Sequence, residues 1–88
     1  MREFEIKPEL DKKLVKFSKK DKNSYEAVMK KIEEVISSPN VEHYKNLRYD
    51  MKESKRVHIG HFVLVFKFIK SENKIIFVDF DHHDKIYK

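Results

Sequence analysis

The segment Phe62-Val63-Leu64-Val65-Phe66-Lys67-Phe68-Ile69 constrains this chain more than any other. In an extended conformation Phe62, Leu64, Phe66 and Phe68 point to one side, and Val63, Val65 and Ile69 to the other. A strand apolar on both faces belongs in the middle of a sheet that is shielded on both sides. The pattern predicts strands over residues 61–69, 56–59 and 75–80, all rich in Val, Ile and Phe. Gly60 separates one pair of strands and Ser71-Glu72-Asn73 the other. Connections this short favour antiparallel pairing.

The shield for one face is encoded upstream. Pro8 suits the first turn of a helix. From residue 9 to about 19, Leu10, Leu14 and Phe17 recur at i, i+4 and i+7 on an otherwise Lys-rich helix. The stretch Asp21-Lys22-Asn23-Ser24 breaks that helix, and Asn23 with Glu26 predicts a capping box for the next. Tyr25, Val28, Met29, Ile32, Val35 and Ile36 form its stripe, and Ser37-Ser38-Pro39-Asn40 ends it. A short strand, Phe4-Glu5-Ile6, precedes both helices. The order is therefore β-α-α-β-β-β. It predicts an α+β fold, with an N-terminal strand and an αα-hairpin packed on an antiparallel sheet whose far face is curled or partly covered. No repeat or linker divides the chain, so residues 1–88 read as a single domain.

Several function classes are excluded. A chain of 88 residues holds one core and no separate cofactor domain. With one Gly and no Cys, there is no glycine-rich phosphate loop, thiolate metal site, disulfide or cysteine nucleophile. No cofactor is expected. The opening MREFEIKPEL has no apolar signal region, and the longest apolar stretch, residues 62–66, is far short of the ~20 residues of a membrane span. The net charge is +5. Residues 1–44 hold 10 Lys/Arg against 9 Asp/Glu, whereas residues 45–88 hold 10 against 6, together with four of the five His. Positive potential and titratable groups thus share one half, which attracts polyanions such as nucleic acid or an acidic protein.

Strand alternation puts Arg56 and His58 on one face, beside a basic approach of Lys45, Arg48, Lys52 and Lys55. An ordinary solvated sheet face has the same pattern. The tail Asp81-His82-His83-Asp84-Lys85-Ile86-Tyr87-Lys88 follows a buried type of strand directly. If it turns helically after His82, His83 and Tyr87 share a side at i, i+4. Otherwise it is a frayed polar terminus. Two imidazoles and an Arg suit cleavage of a phosphodiester by the RNA's own 2′-OH. One group takes the 2′ proton, a cation stabilises the charge on phosphorus, and an acid protonates the leaving 5′-oxygen. A metal reading uses His58-x-x-His61 with His82-His83-Asp84, but no recognised ligand spacing supports it, and no metal is expected. The strand Phe residues read as core rather than as a base-stacking platform.

Three quoted runs carry a resemblance: Tyr44-Lys45-Asn46-Leu47-Arg48, Lys55-Arg56-Val57-His58-Ile59-Gly60 and Phe62-Val63-Leu64-Val65-Phe66. With the ending Phe80-Asp81-His82-His83-Asp84-Lys85-Ile86-Tyr87, the chain resembles the RelE/ParE superfamily of toxin–antitoxin toxins over nearly its whole length. The resemblance implies a RelE-like microbial ribonuclease-type fold and a cytoplasmic toxin. Such a toxin cleaves mRNA in the ribosomal 30S A site and is neutralised by a RelB-like antitoxin in a hetero-oligomeric complex. It implies catalytic roles for Arg56, His58, His83 and Tyr87. It also implies RNA contacts, ribosomal RNA included, from Lys45, Arg48, Lys52, Lys55, His61, His82, Lys85 and Lys88. RelE-type members carry an Arg on the central strand where this chain has Val63, a departure that favours the histidine-based, YafQ-like variant. Within the same superfamily, ParE-type members act instead by binding DNA gyrase. An inactive relative that only binds its antitoxin is a further alternative.

Overall fold

Pro8 marks where extended chain gives way to helix, because its ring presets φ and its missing N–H is not needed at the first helical position. In the computed structural model, which describes residues 2–46 and 54–87, strand β1 (Glu3–Ile6) ends just before it and helix α1 (Pro8–Lys20) begins on it. Glu9 and Asp11 in the first turn, and Lys19 and Lys20 in the last, match the helix dipole. Asp21 alone joins α1 to helix α2 (Lys22–Ser37). Its amide donates to the Phe17 carbonyl at 2.8 Å, and its carboxylate accepts from the Ser24 amide at 3.2 Å. The capping box expected from Asn23 and Glu26 is therefore replaced. Asp21 stands three residues before Ser24, so its carboxylate caps the helix and α2 begins earlier than the sequence pattern indicates. The Ser24 bonds hold the Asp21 carboxyl below its ordinary range.

After a short turn at Val41–His43, strand β2 (Ser54–Ile59), strand β3 (Phe62–Ile69) and strand β4 (Lys74–His82) form an antiparallel meander. The sheet order is β1-β4-β3-β2. Pairing within β2, β3 and β4 is antiparallel as expected, but β1 lies parallel to β4. The chain returns to the sheet through the helical hairpin, and such a crossover is what parallel neighbours require. Gly60, at φ +60°, opens the two-residue turn between β2 and β3, the signature of a type II′ hairpin.

The helices cover one sheet face. Leu10, Leu14, Val28, Ile32, Val35 and Ile36 pack on Leu64, Phe66, Ile75, Phe77 and Phe80. Phe77 and Phe80 are three residues apart and would face opposite ways on a regular strand. A bulge at Val78 resets the alternation: Val65 pairs with Asp79, but Phe66 pairs with Phe77. On the other face Val63 and Val65 are buried as well. There the one-turn helix α3 (His83–Ile86) folds back over β3 and β4, giving the expected partial cover. No helix among the described residues is long and apolar enough to cross a membrane.

Candidate active site

Alternation along β2 sends Val57 and Ile59 into the core and leaves Arg56 and His58 on the face away from the main helices. Register then matters. His58 pairs with Val63 of β3, and Val63 pairs with Asp81 of β4, so the end of β4 that leads to His83 lies across one strand from His58. The His83 amide donates to the His61 carbonyl at 2.8 Å, which ties α3 to the β2–β3 turn. The Tyr87 amide donates to the His83 carbonyl at 3.2 Å and completes the helical turn. His83 and Tyr87 thus share one side, at i, i+4.

These elements bring four side chains together. The His58 and His83 rings lie 5.6 Å apart at 30°, the His83 and Tyr87 rings 4.7 Å apart, and the His58 and Tyr87 rings 6.5 Å apart at 21°. The Arg56 guanidinium sits 5.6 Å over the Tyr87 ring, and its Nη1 donates to His58 Nε2 at 2.8 Å. Arg56 is itself held: its Nε donates to the Asn46 carbonyl at 3.1 Å, and its amide donates to the Lys45 carbonyl at 2.9 Å. An always-charged guanidinium can only donate, so His58 Nε2 accepts and the His58 ring is neutral. Partial desolvation, then Arg56, His83 and Lys45, lower the His58 pKa below the ordinary imidazole value. The Tyr87 hydroxyl is enclosed and finds no hydrogen-bond partner among the described residues. Asp84 Oδ1 lies 3.7 Å from His83 Nδ1, close enough to pair with an imidazolium.

The residues expected to contact RNA divide. Lys45 is exposed beside Arg56 and His58. Lys55 does not belong to this face. It pairs with Phe66 and is only 7% exposed, and its Nζ donates to the Tyr44 carbonyl at 3.3 Å and to Asn46 Oδ1 at 3.2 Å. One step along a strand reverses the side, so Lys55 braces the segment that holds Arg56 instead of offering a cation to a phosphate. His61 and His82 form a second ring pair, 6.1 Å apart, with the edge of His82 against Phe62. They lie at the same sheet end as His58 and His83 but border the helix side. Lys85 is exposed and reaches the edge shared by both sides. Arg48, Lys52 and Lys88 lie outside the described residues. Among the described residues no group of three or more metal-ligating side chains converges. Sequence reasoning missed Asn46, whose contribution to Arg56 is a backbone carbonyl and leaves no side-chain signal.

Comparison with known proteins identifies relatives of the chain and of its fold. The sequence model of a family described as ParE toxin of type II toxin-antitoxin system, parDE, matches residues 5–87. A Methanocaldococcus jannaschii protein named "Putative toxin RelE4" is 54% identical over 89 residues, covering 100% of this chain and 93% of that protein. The crystal structure of the isolated E. coli RelE toxin superposes with a TM-score of 0.76 at 18% identity, covering 93% of this chain and 84% of that one. A chain of the intact E. coli RelBE toxin–antitoxin complex superposes with a TM-score of 0.75 at 18% identity, covering 93% of this chain and 96% of that one.

Proposed function

The chain belongs to the ParE toxin family of type II toxin–antitoxin systems, within the RelE/ParE superfamily, and from that premise we propose that it is a metal-independent endoribonuclease that cleaves mRNA in the ribosomal A site. The observation that carries the reading is the cluster of the His58, His83 and Tyr87 rings with Arg56 bound to His58. Two imidazoles about one phosphate group apart, with a guanidinium between a ring and solvent, form a general acid–base pair with an electrostatic clamp.

The roles follow from the hydrogen bond. Arg56 keeps His58 neutral and covers its Nε2 lone pair. When a phosphodiester arrives, the guanidinium transfers to a non-bridging oxygen and frees Nε2. His58 then accepts the 2′-OH proton as the oxygen attacks phosphorus. Arg56 stabilises the phosphorane charge. His83, as imidazolium, gives its proton to the departing 5′-oxygen, leaving a 2′,3′-cyclic phosphate and a 5′-hydroxyl. Tyr87 supplies the ring on which Arg56 and the two imidazoles rest, and so positions them. Lys45 adds positive potential on the approach, with His61, His82 and Lys85 along the rim. The work site is the cytoplasmic ribosome, and a RelB-like antitoxin neutralises the toxin in a hetero-oligomeric complex.

The test is a programmed ribosome carrying mRNA with a single 2′-deoxynucleotide at the scissile position. Wild type should cleave the all-ribose message and spare the deoxy one, and His83→Ala should cleave neither at a comparable rate. Equal cleavage of both messages would remove 2′-OH attack from the mechanism. The matched family description favours one second reading, a ParE-like toxin that inhibits DNA gyrase. Loss of gyrase supercoiling with the message left intact would establish it instead.

A further inference from the structure

The end of β4 that leads to His83 lacks a neighbouring strand on one side. β1 pairs with β4 only as far as Phe77, and the Lys7 amide closes that pairing on the Phe77 carbonyl at 3.0 Å. The bulge at Val78 follows. From Asp79 to His82, β4 pairs only with Val65 to Phe62 of β3 among the described residues. A strand end with one partner, just past a bulge, is poorly fixed by its ladder alone. Yet Asp81 stands in one cross-strand row with Val63 and His58, and two residues further on the His83 ring faces His58 at 5.6 Å.

One side chain takes the place of the missing neighbour. Lys13 lies on α1 beside Leu14 and three residues after Leu10, both buried in the core, so its stem starts from a fixed part of the helix. Its Nζ donates to Asp79 Oδ1 at 2.7 Å, to Asp81 Oδ2 at 3.0 Å and to the Phe80 carbonyl at 3.4 Å. An ammonium has three protons, and all three are engaged. The carboxylates carry the link onward. Asp79 Oδ1 accepts from the Phe80 amide and Asp81 Oδ1 from the His82 amide, each at 2.8 Å. Edge groups of β4 that a further strand would meet are thus joined to α1 through one nitrogen. Burial opposes ionisation of Lys13, but its bonds to the two carboxylates and their charges outweigh it and raise its pKa. The ion pairs are partly exposed, and pairs of that kind add little to the stability of a whole fold. Their effect is local.

We propose that Lys13 is a positioning residue for His83, fixing the end of β4 to α1 so that the imidazole keeps its place opposite His58. The proposal rests on the nuclease reading above, in which His83 is the acid. His83 is held from two directions: its own amide bonds to the His61 carbonyl on the β3 side, and Lys13 secures the preceding residues on the open edge. Without the ammonium, the Asp79 and Asp81 carboxylates, two residues apart on one strand, repel each other, so the strand end shifts as well as losing its bonds. A displacement of about 1 Å at a proton donor costs about 10²-fold in rate.

The test compares Lys13→Met and Lys13→Arg with wild type by single-turnover cleavage of ribosome-bound mRNA, by ribosome affinity and by amide hydrogen exchange. Lys13→Met should cleave about 10–100-fold more slowly with ribosome affinity unchanged. Its His82 and His83 amides should exchange about tenfold faster or more, with the Phe66 amide unchanged. Lys13→Arg, whose guanidinium also bridges two carboxylates, should cleave within about threefold of wild type. In a His83→Ala background Lys13→Met should cost nothing further, because it acts through His83. Unchanged exchange at His82 and His83 in Lys13→Met overturns the proposal. So does a cleavage loss of undiminished size in the His83→Ala background, which would make Lys13 an RNA contact in its own right. A wild type that cleaves no message defeats the nuclease reading alone, and the exchange comparison still decides whether Lys13 holds His83. If thermal melting shows Lys13→Met unfolded, Asp79→Asn, which weakens one arm of the link, gives the same comparison in a milder form.

Discussion

Arg56→Ala separates catalysis from stability, because Arg56 touches His58, Tyr87 and the Asn46 carbonyl at once. Its loss removes the Nε bond to the Asn46 carbonyl at 3.1 Å and the stack on Tyr87 at 5.6 Å. A partly exposed charge-assisted bond contributes about 1 kcal/mol and an exposed cation–π contact about 0.5–1 kcal/mol. The stability cost is therefore about 1–2 kcal/mol, which for a domain of this size lowers Tm by roughly 5–15 °C. That leaves the protein folded at ordinary assay temperature. The catalytic cost is larger: removing a preorganised charge that meets the transition state slows the chemical step by about 10²–10³-fold. The pH profile shifts too. His58 must be neutral to act as base, and after partial desolvation Arg56 is the next cause holding its pKa down. Without Arg56 the His58 pKa rises toward the ordinary imidazole value, so the acid limb of the rate profile moves to higher pH. Arg56→Lys keeps the charge but cannot span Asn46, His58 and Tyr87 together, so it should fall between the two. Single-turnover cleavage of ribosome-bound mRNA between pH 5 and 8, with thermal melts of each variant, makes the measurement. A loss below fivefold in Arg56→Ala, or an unmoved acid limb, refutes the reasoning.

His83→Ala should slow cleavage by about 10²–10⁴-fold, and adding His58→Ala should cost little more, since an acid–base pair acts as a unit; fully multiplicative losses in single-turnover assays would argue for separate roles. Phe66 is fully buried between the helices and the sheet, so Phe66→Ala should lose about 3–5 kcal/mol in urea unfolding, and a loss under about 1.5 kcal/mol would contradict that packing. Gly60→Ala places a Cβ at φ +60° in open space, so strain alone should cost about 1–2 kcal/mol, read as a lowered Tm. Partial burial opposes ionisation of Asp81, yet the Lys13 ammonium and the His82 amide outweigh it and hold the carboxyl below its ordinary value. Its stabilising contribution is therefore present above the ordinary carboxylate range and fades as pH falls through the lowered value. The stability gap between wild type and Asp81→Asn should close in acid, and a gap that widens there would count against the clamp.

Both helices, all four strands and the spacings Arg56-x-His58 and His83-x-x-x-Tyr87 were legible in the sequence, because each rests on a period that neighbouring residues set for themselves. Two misreadings arose within two residues of an element boundary. The strand expected from residue 56 in fact starts at Ser54, which puts Lys55 on the core side with Val57. The cap expected at Asn23 belongs to Asp21, because several polar residues compete there and only the helix's true start selects one.

By itself the sequence determined which residues each element shows to either side. Tertiary structure decided which sides meet. His58 and His83 are 25 residues apart, and no local period relates them. They face each other because the Gly60 turn sets one register, Val63 carries it across to Asp81, and the His61 carbonyl anchors the tail. The Val78 bulge and the parallel seat of β1 are also properties of pairing, invisible along a single strand. Periodicity is a local steric fact about one segment, whereas register is a free-energy balance over whole strands, and the candidate site exists only where registers coincide.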